Sequence, residues 1–83
     1  PNPFNPSTRL RFDLPERAAV RLVVYDVAGR AVRVLVEETL GAGSYEETWD
    51  GRTEQGEDAA SGVYWARLDA AGRTETTRLS LVR

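Results

Sequence analysis

The densest cluster of groups able to do chemistry is the stretch Asp50-Gly51-Arg52-Thr53-Glu54-Gln55-Gly56-Glu57-Asp58. Several carboxylates on a short, glycine-broken loop are what a hard cation such as calcium takes as oxygen ligands. The spacing argues against it, because Arg52 stands where an EF-hand loop needs a ligand and Gln55 interrupts the acidic run. The stretch therefore reads as a solvated turn opened by Asp50 and Gly51, and neither a metal nor another cofactor is expected.

Adjacent carboxylates at Glu37-Glu38, Glu46-Glu47 and Glu57-Asp58 raise a second chemistry, the hydrolysis of a glycosidic bond. That reaction needs two carboxyls facing one cleft at a set separation, whereas neighbours on a strand point to opposite faces. The pairs read better as solubilising surface and as like charge that discourages pairing at sheet edges. Ser7, Thr8 and Ser61 have no base near them in sequence, so turn and capping roles are their default. With neither His nor Cys, the chain lacks the commonest neutral-pH base, the commonest metal ligand, thiolate sites and disulfides. No catalytic residue is assigned, and the chain is read as a non-enzyme without a small-molecule substrate.

Trp65 and Tyr45 offer a third chemistry, stacking on sugar rings as carbohydrate-binding sandwiches do. The competing reading packs Trp65 beneath Pro3 and Phe4. Packing is favoured, since a small core without covalent staples gains from each large ring it buries, and one aromatic is not a platform.

The elements that must position these groups are strands. Leu10, Phe12 and Leu14 share one parity against Arg9, Arg11 and Asp13, which makes residues 8–14 a half-buried strand that Pro15 ends. Val20, Leu22 and Val24 repeat the pattern, and Val32, Val34 and Val36 repeat it again, in β-branched company that favours strand over helix. Asp26-Val27-Ala28-Gly29 between those two runs fits a type I turn closed by a positive-φ glycine, a hairpin with a glycine bulge. The same signature at Asp69-Ala70-Ala71-Gly72 predicts a second hairpin of the same type between residues 63–68 and 73–82. Between the hairpins, Tyr45 and Trp49 share a face of residues 43–50. The expected core is Leu10, Phe12, Leu14, Val20, Leu22, Val24, Val32, Val34, Trp49, Tyr64, Leu68, Leu79 and Leu81, with Val63 and Trp65 on the outer face. Six strands, or seven if the N-terminal segment joins an edge, fit one domain over residues 1–83 built as a two-sheet antiparallel sandwich. Residues 1–7 form a Pro-rich arm or linker, extended and poor in backbone donors.

Eighty-three residues bury only about 60–65% of the surface their unfolded chain exposes. Eleven arginines against 13 acids give a net charge of −2, with the arginines spread along the chain, so nucleic acid is not an expected partner. No apolar run approaches a membrane span. Because the chain starts at Pro1 and not at Met, it is expected to be a piece of something longer.

Five blocks now become recognisable: Asn2-Pro3-Phe4-Asn5-Pro6-Ser7-Thr8, Phe12-Asp13-Leu14-Pro15, Val24-Tyr25-Asp26-Val27-Ala28-Gly29-Arg30, Trp49-Asp50-Gly51 and Ala60-Ser61-Gly62-Val63-Tyr64-Trp65. In this order they resemble the C-terminal sorting domain of type IX secretion cargo, and part of the pattern is similar to the Ig-like domain of the flagellar hook-capping protein. The resemblance covers essentially the whole chain. It implies an Ig-like, fibronectin III-like sandwich in a larger secreted bacterial protein, secreted or at the cell surface, that directs export or attachment. The partners it implies are proteins of a secretion machinery. The pattern departs at Glu47, which stands where an apolar residue is usual, and at Arg83, where Lys is common. The alternative function is self-assembly into a fibre, sheet or tube through edge strands, with copies of the chain as partners.

Overall fold

The computed structural model describes residues 7–83. The expectations for the Pro-rich arm at residues 1–6, its packing under Trp65 included, lie outside the described residues. The rest is all-β, an Ig-like sandwich of six strands: β1 (Thr8–Leu14), β2 (Ala18–Asp26), β3 (Ala31–Leu40), β4 (Gly43–Trp49), β5 (Gly62–Ala70) and β6 (Arg73–Leu81). Among the described residues β1 pairs only with β4, and the facing sheet runs β3-β2-β5-β6. Every pairing is antiparallel.

Alternation places the core between the sheets. Phe12, Leu14, Val20, Leu22, Val24, Trp49, Tyr64, Leu79 and Leu81 are buried, and Leu10, Val32 and Leu68 pack against them half-buried. Burying each large aliphatic or aromatic side chain is worth about 1.5–3 kcal/mol. Phe12 stacks on Tyr45 with centroids 5.4 Å apart, and Trp49 meets Tyr64 edge-on at 5.0 Å. The ring hydroxyls stay satisfied: Tyr45 donates to the Gly41 carbonyl at 2.7 Å, and Tyr64 to that of Ala60 at 2.6 Å.

One expected core residue is placed elsewhere. The β2–β3 register shifts between Leu22 and Val23 and again between Val24 and Tyr25, so that Leu22 faces Val36 while Val23 faces Val34. Leu35 and Val32 are the extra residues of two bulges in β3, and a bulge reverses which side chains point inward. Val36 thereby enters the core, whereas Val34 joins Val23 on the outer face of the sheet and is only half-buried. Val23 is 1% exposed even there, flanked across the ladder by Val34 and Arg67.

The first hairpin forms as its residues predict. The Gly29 amide donates to the Asp26 carbonyl at 3.0 Å, the Asp26 amide to the Arg30 carbonyl at 3.0 Å, and Gly29 has φ +83°. The second hairpin is of a different type. Ala70 pairs with Arg73, leaving a two-residue turn in which Ala71 (φ 52°) and Gly72 (φ 75°) are both left-handed, while Asp69 sits in the ladder opposite Thr74. Register supplies the reason. A three-residue loop would slip β6 by one position and send Leu79 and Leu81 to the solvent face.

Candidate functional site

Residues 50–61, the stretch with the most chemistry in the sequence, form a compact loop in which most charged side chains are bonded within the loop or to its surroundings. Gly51 takes φ +75°, the Ala59 amide donates to the Gly51 carbonyl at 2.9 Å, and Arg52 bridges Asp58. A tighter turn lies inside, where the amides of Thr53 and Gly56 donate to the carbonyls of Glu57 and Thr53, with Gly56 at φ +82°. The carboxylates do not converge on a vacant centre. Asp50 accepts from the Arg52 amide at 3.0 Å and from Arg33 at 3.1 Å, Glu54 lies 3.8 Å from Arg33, and Asp58 lies within 4 Å of both Arg52 and Arg83. Among the described residues no three acidic side chains are grouped as metal ligands.

Two contacts give this loop a structural role. Glu54 donates its amide to the Val32 carbonyl at 2.9 Å and accepts the Val34 amide on its side chain at 2.7 Å. One residue thus imitates a strand against β3 and caps that edge of the larger sheet at Val32 and Val34. At the other side Arg83 holds the loop from beneath. Its amide donates to Ser61 Oγ at 3.0 Å and its guanidinium to the carbonyls of Ala59 and Gly51. Trp49 completes the seating, its indole N–H donating to the Arg52 carbonyl at 2.9 Å. The sequence singles out Arg83 and the stretch that holds Glu54 but not these roles, because both residues reach partners that only the fold brings near.

The carboxylate pairs divide between faces. Glu46 meets Arg11 at 2.7 Å on the outer side of β4, whereas Glu47, opposite Leu10, is half-buried. Glu37 meets Arg21 at 2.9 Å, whereas Glu38 lies opposite Val20. Glu37 and Glu38 both border an open hollow at that end of the larger sheet, which Arg17, Arg21 and Arg73 line as well. The turn aspartates are held ionised: amide hydrogen bonds from Arg30 and then Ala28 lower the Asp26 pKa, and the Thr74 hydroxyl followed by the Arg67 charge lowers that of Asp69.

The two aromatics weighed as a sugar platform do not meet. Tyr45 is turned inward against Phe12 on the smaller sheet, while Trp65, 38% exposed, lies on the outer face of the larger one between Tyr25 and Arg78. What remains among the described residues is a set of polar faces, an open hollow and strand edges, an arrangement suited to contact with other polypeptides.

Comparison with known proteins agrees with this architecture. A family model described as the FlgD Ig-like domain matches residues 3–74. A solved structure described as FLGD from P. aeruginosa is similar with a TM-score of 0.63 and 26% sequence identity, covering 88% of this chain and 58% of that one. The chain thus corresponds to little more than half of that protein. No curated protein matches it.

Proposed function

From a chain that belongs to the FlgD Ig-like domain family, we propose a non-catalytic structural module that works outside the cytoplasm by binding other proteins, as part of a protein of the flagellar hook-capping kind. The observation that carries the reading is the family match over residues 3–74 on a sandwich whose loop carboxylates Asp50, Glu54 and Asp58 are paired with arginines. Sites of catalysis need groups poised toward a common cavity, and here the charged groups point into solvent or into ion pairs. The test is a graft. Replacing the Ig-like domain of the P. aeruginosa protein with this chain is expected to preserve flagellar assembly, and a graft that is stably made yet leaves cells without flagella defeats the proposal.

Export sorting by a type IX system draws on the shared sequence blocks alone. Arg83, where the pattern of that family departs, is 21% exposed at its side chain and held by the loop. A periplasmic reporter carrying this chain decides it: release to the outside is required, and retention ends the sorting role. Edge-to-edge assembly of copies draws on β6, whose outer side pairs with no strand among the described residues. Size-exclusion chromatography over a range of concentrations decides that.

A further inference from the structure

A two-stranded sheet is too narrow to cover a four-stranded one, and the shortfall falls on one side. β4 approaches β3, which leaves the free edge of β1 over β5 and β6. A seam opens there, walled by Leu10, Phe12 and Leu14, floored by Leu68 and Ala70, and rimmed by Glu75. Leu10, Leu68 and Ala70 point toward the core but are only half-buried. We propose that this seam is a docking groove for an extended strand from a partner polypeptide, apolar at alternate residues and uncharged at the others, which pairs with β1 and completes the smaller sheet.

The free edge dictates the backbone of the occupant. Among the described residues β1 makes ladder bonds with β4 alone, so its other side offers alternating N–H and C=O groups that only another extended chain matches in full. The floor dictates one face of it, since a strand laid beside β1 sets every second side chain over Leu68 and Ala70. The rim dictates its charge. Arg11 already meets Glu46, Asp13 already accepts from Ser44, and Arg73 alternates with Glu75 along β6, so neither sign of charge is favoured. β1 supplies seven residues of edge, which sets the length of the match.

Other occupants fit less well. A second copy pairing through the same edge would bring its own overhanging β6 into the space that this one fills. The chain's own residues 1–6 include Pro1, Pro3 and Pro6, which have no N–H to give a ladder. Glu54 takes the edge of β3 at Val32 and Val34, and two bulges interrupt that strand, so it offers no even ladder along its length.

The inference deepens the structural-module reading and rests on it. The test is hydrogen exchange of the 83-residue chain with and without an end-capped heptapeptide alternating valine with threonine, and with the same peptide carrying a central proline. Exchange at alternate amides within Thr8–Leu14 is expected to slow at least tenfold with the first peptide and to stay unchanged with the second. Leu68→Lys, compared at a temperature where the variant is folded, should weaken the effect about tenfold. The unmodified chain carries the test alone if that variant does not fold. No slowing at millimolar peptide overturns the proposal, as does slowing confined to β6. Protection of those amides without peptide also overturns it, pointing to the chain's own residues if independent of concentration and to a second copy if not. The graft experiment does not depend on this edge, so the two readings fail separately.

Discussion

The guanidinium of Arg83 donates to the carbonyl of Ala59 at 2.6 Å, across 24 residues of sequence, and so ties the segment after β6 to the loop that caps β3 at Val32 and Val34. A charge-assisted hydrogen bond of this kind contributes about 1.5–3 kcal/mol. Arg83→Ala removes the contacts to Gly51, Ala59 and Asp58 together. The expected outcome is a stability loss of about 1–3 kcal/mol, with faster proteolytic cutting within residues 51–61. Lysine at this position keeps the charge but not the planar fork, so Arg83→Lys should recover only part of the loss. Equal resistance of all three proteins to a protease would show that the contact holds nothing.

Ala71 sits at φ 52°, where a side chain with a Cβ costs about 1–2 kcal/mol. The two-residue turn needs left-handed residues at both positions, and Asn-Gly meets that need best. Ala71→Asn should therefore raise stability by about 0.5–1 kcal/mol, a gain of several degrees in melting temperature for a domain of this size. Gly29→Ala supplies the converse. Nothing lies within 4 Å of a Cβ there, so its φ of +83° alone sets the penalty, expected at about 1–2 kcal/mol. Thermal melts of both variants check the pair, and a loss of stability in Ala71→Asn would mean that the turn is not of this type.

Val34 and Val36 look alike in the sequence and differ in the fold, because the bulge at Leu35 lies between them. Val36 is 5% exposed within the core, so Val36→Ala should cost about 2 kcal/mol through lost burial and the cavity left behind. Val34→Thr keeps shape and adds a hydroxyl on the outer face, where a polar group is tolerated, and should cost under about 1 kcal/mol. The reverse ranking in chemical denaturation would restore an unbroken alternation along β3.

Alternation of side-chain character made the strands legible, and at β1 it located both ends, since Pro15 stops the run after Leu14. The Asp26–Gly29 turn was legible too, because its requirement for a positive φ falls on the one residue that accepts it at no steric cost. The second hairpin misled for the same reason. Asp69 and Gly72 repeat the signature, but the register that buries Leu79 and Leu81 outweighs the local preference and tolerates Ala71 in a strained conformation. The bulges in β3 leave no mark in a run of valines and leucine, where every residue is willing to face inward. The loop-closing roles of Glu54 and Arg83 arise from contacts across 20 and 24 residues. Nothing local to either residue distinguishes it from a solvated charge.

Asp26 stitches its hairpin through its own carboxylate, which accepts the amides of Ala28 at 2.9 Å and Arg30 at 3.0 Å. These bonds favour the ionised form and hold the group below the ordinary aspartate range. A carboxyl whose pKa is depressed by folding lends stability that is complete above the unfolded value and disappears as the pH falls through the folded one. The melting temperature should therefore drop as the pH is taken below about 4, with Asp69 contributing in the same direction through Thr74. Asp26→Asn retains an acceptor oxygen but loses the charge. It should melt lower than the unmodified chain at pH 7 and come closer to it at pH 2.5. Thermal denaturation of both proteins across that range decides the matter: a gap that stays constant with pH would mean that the turn draws nothing from the ionisation of Asp26.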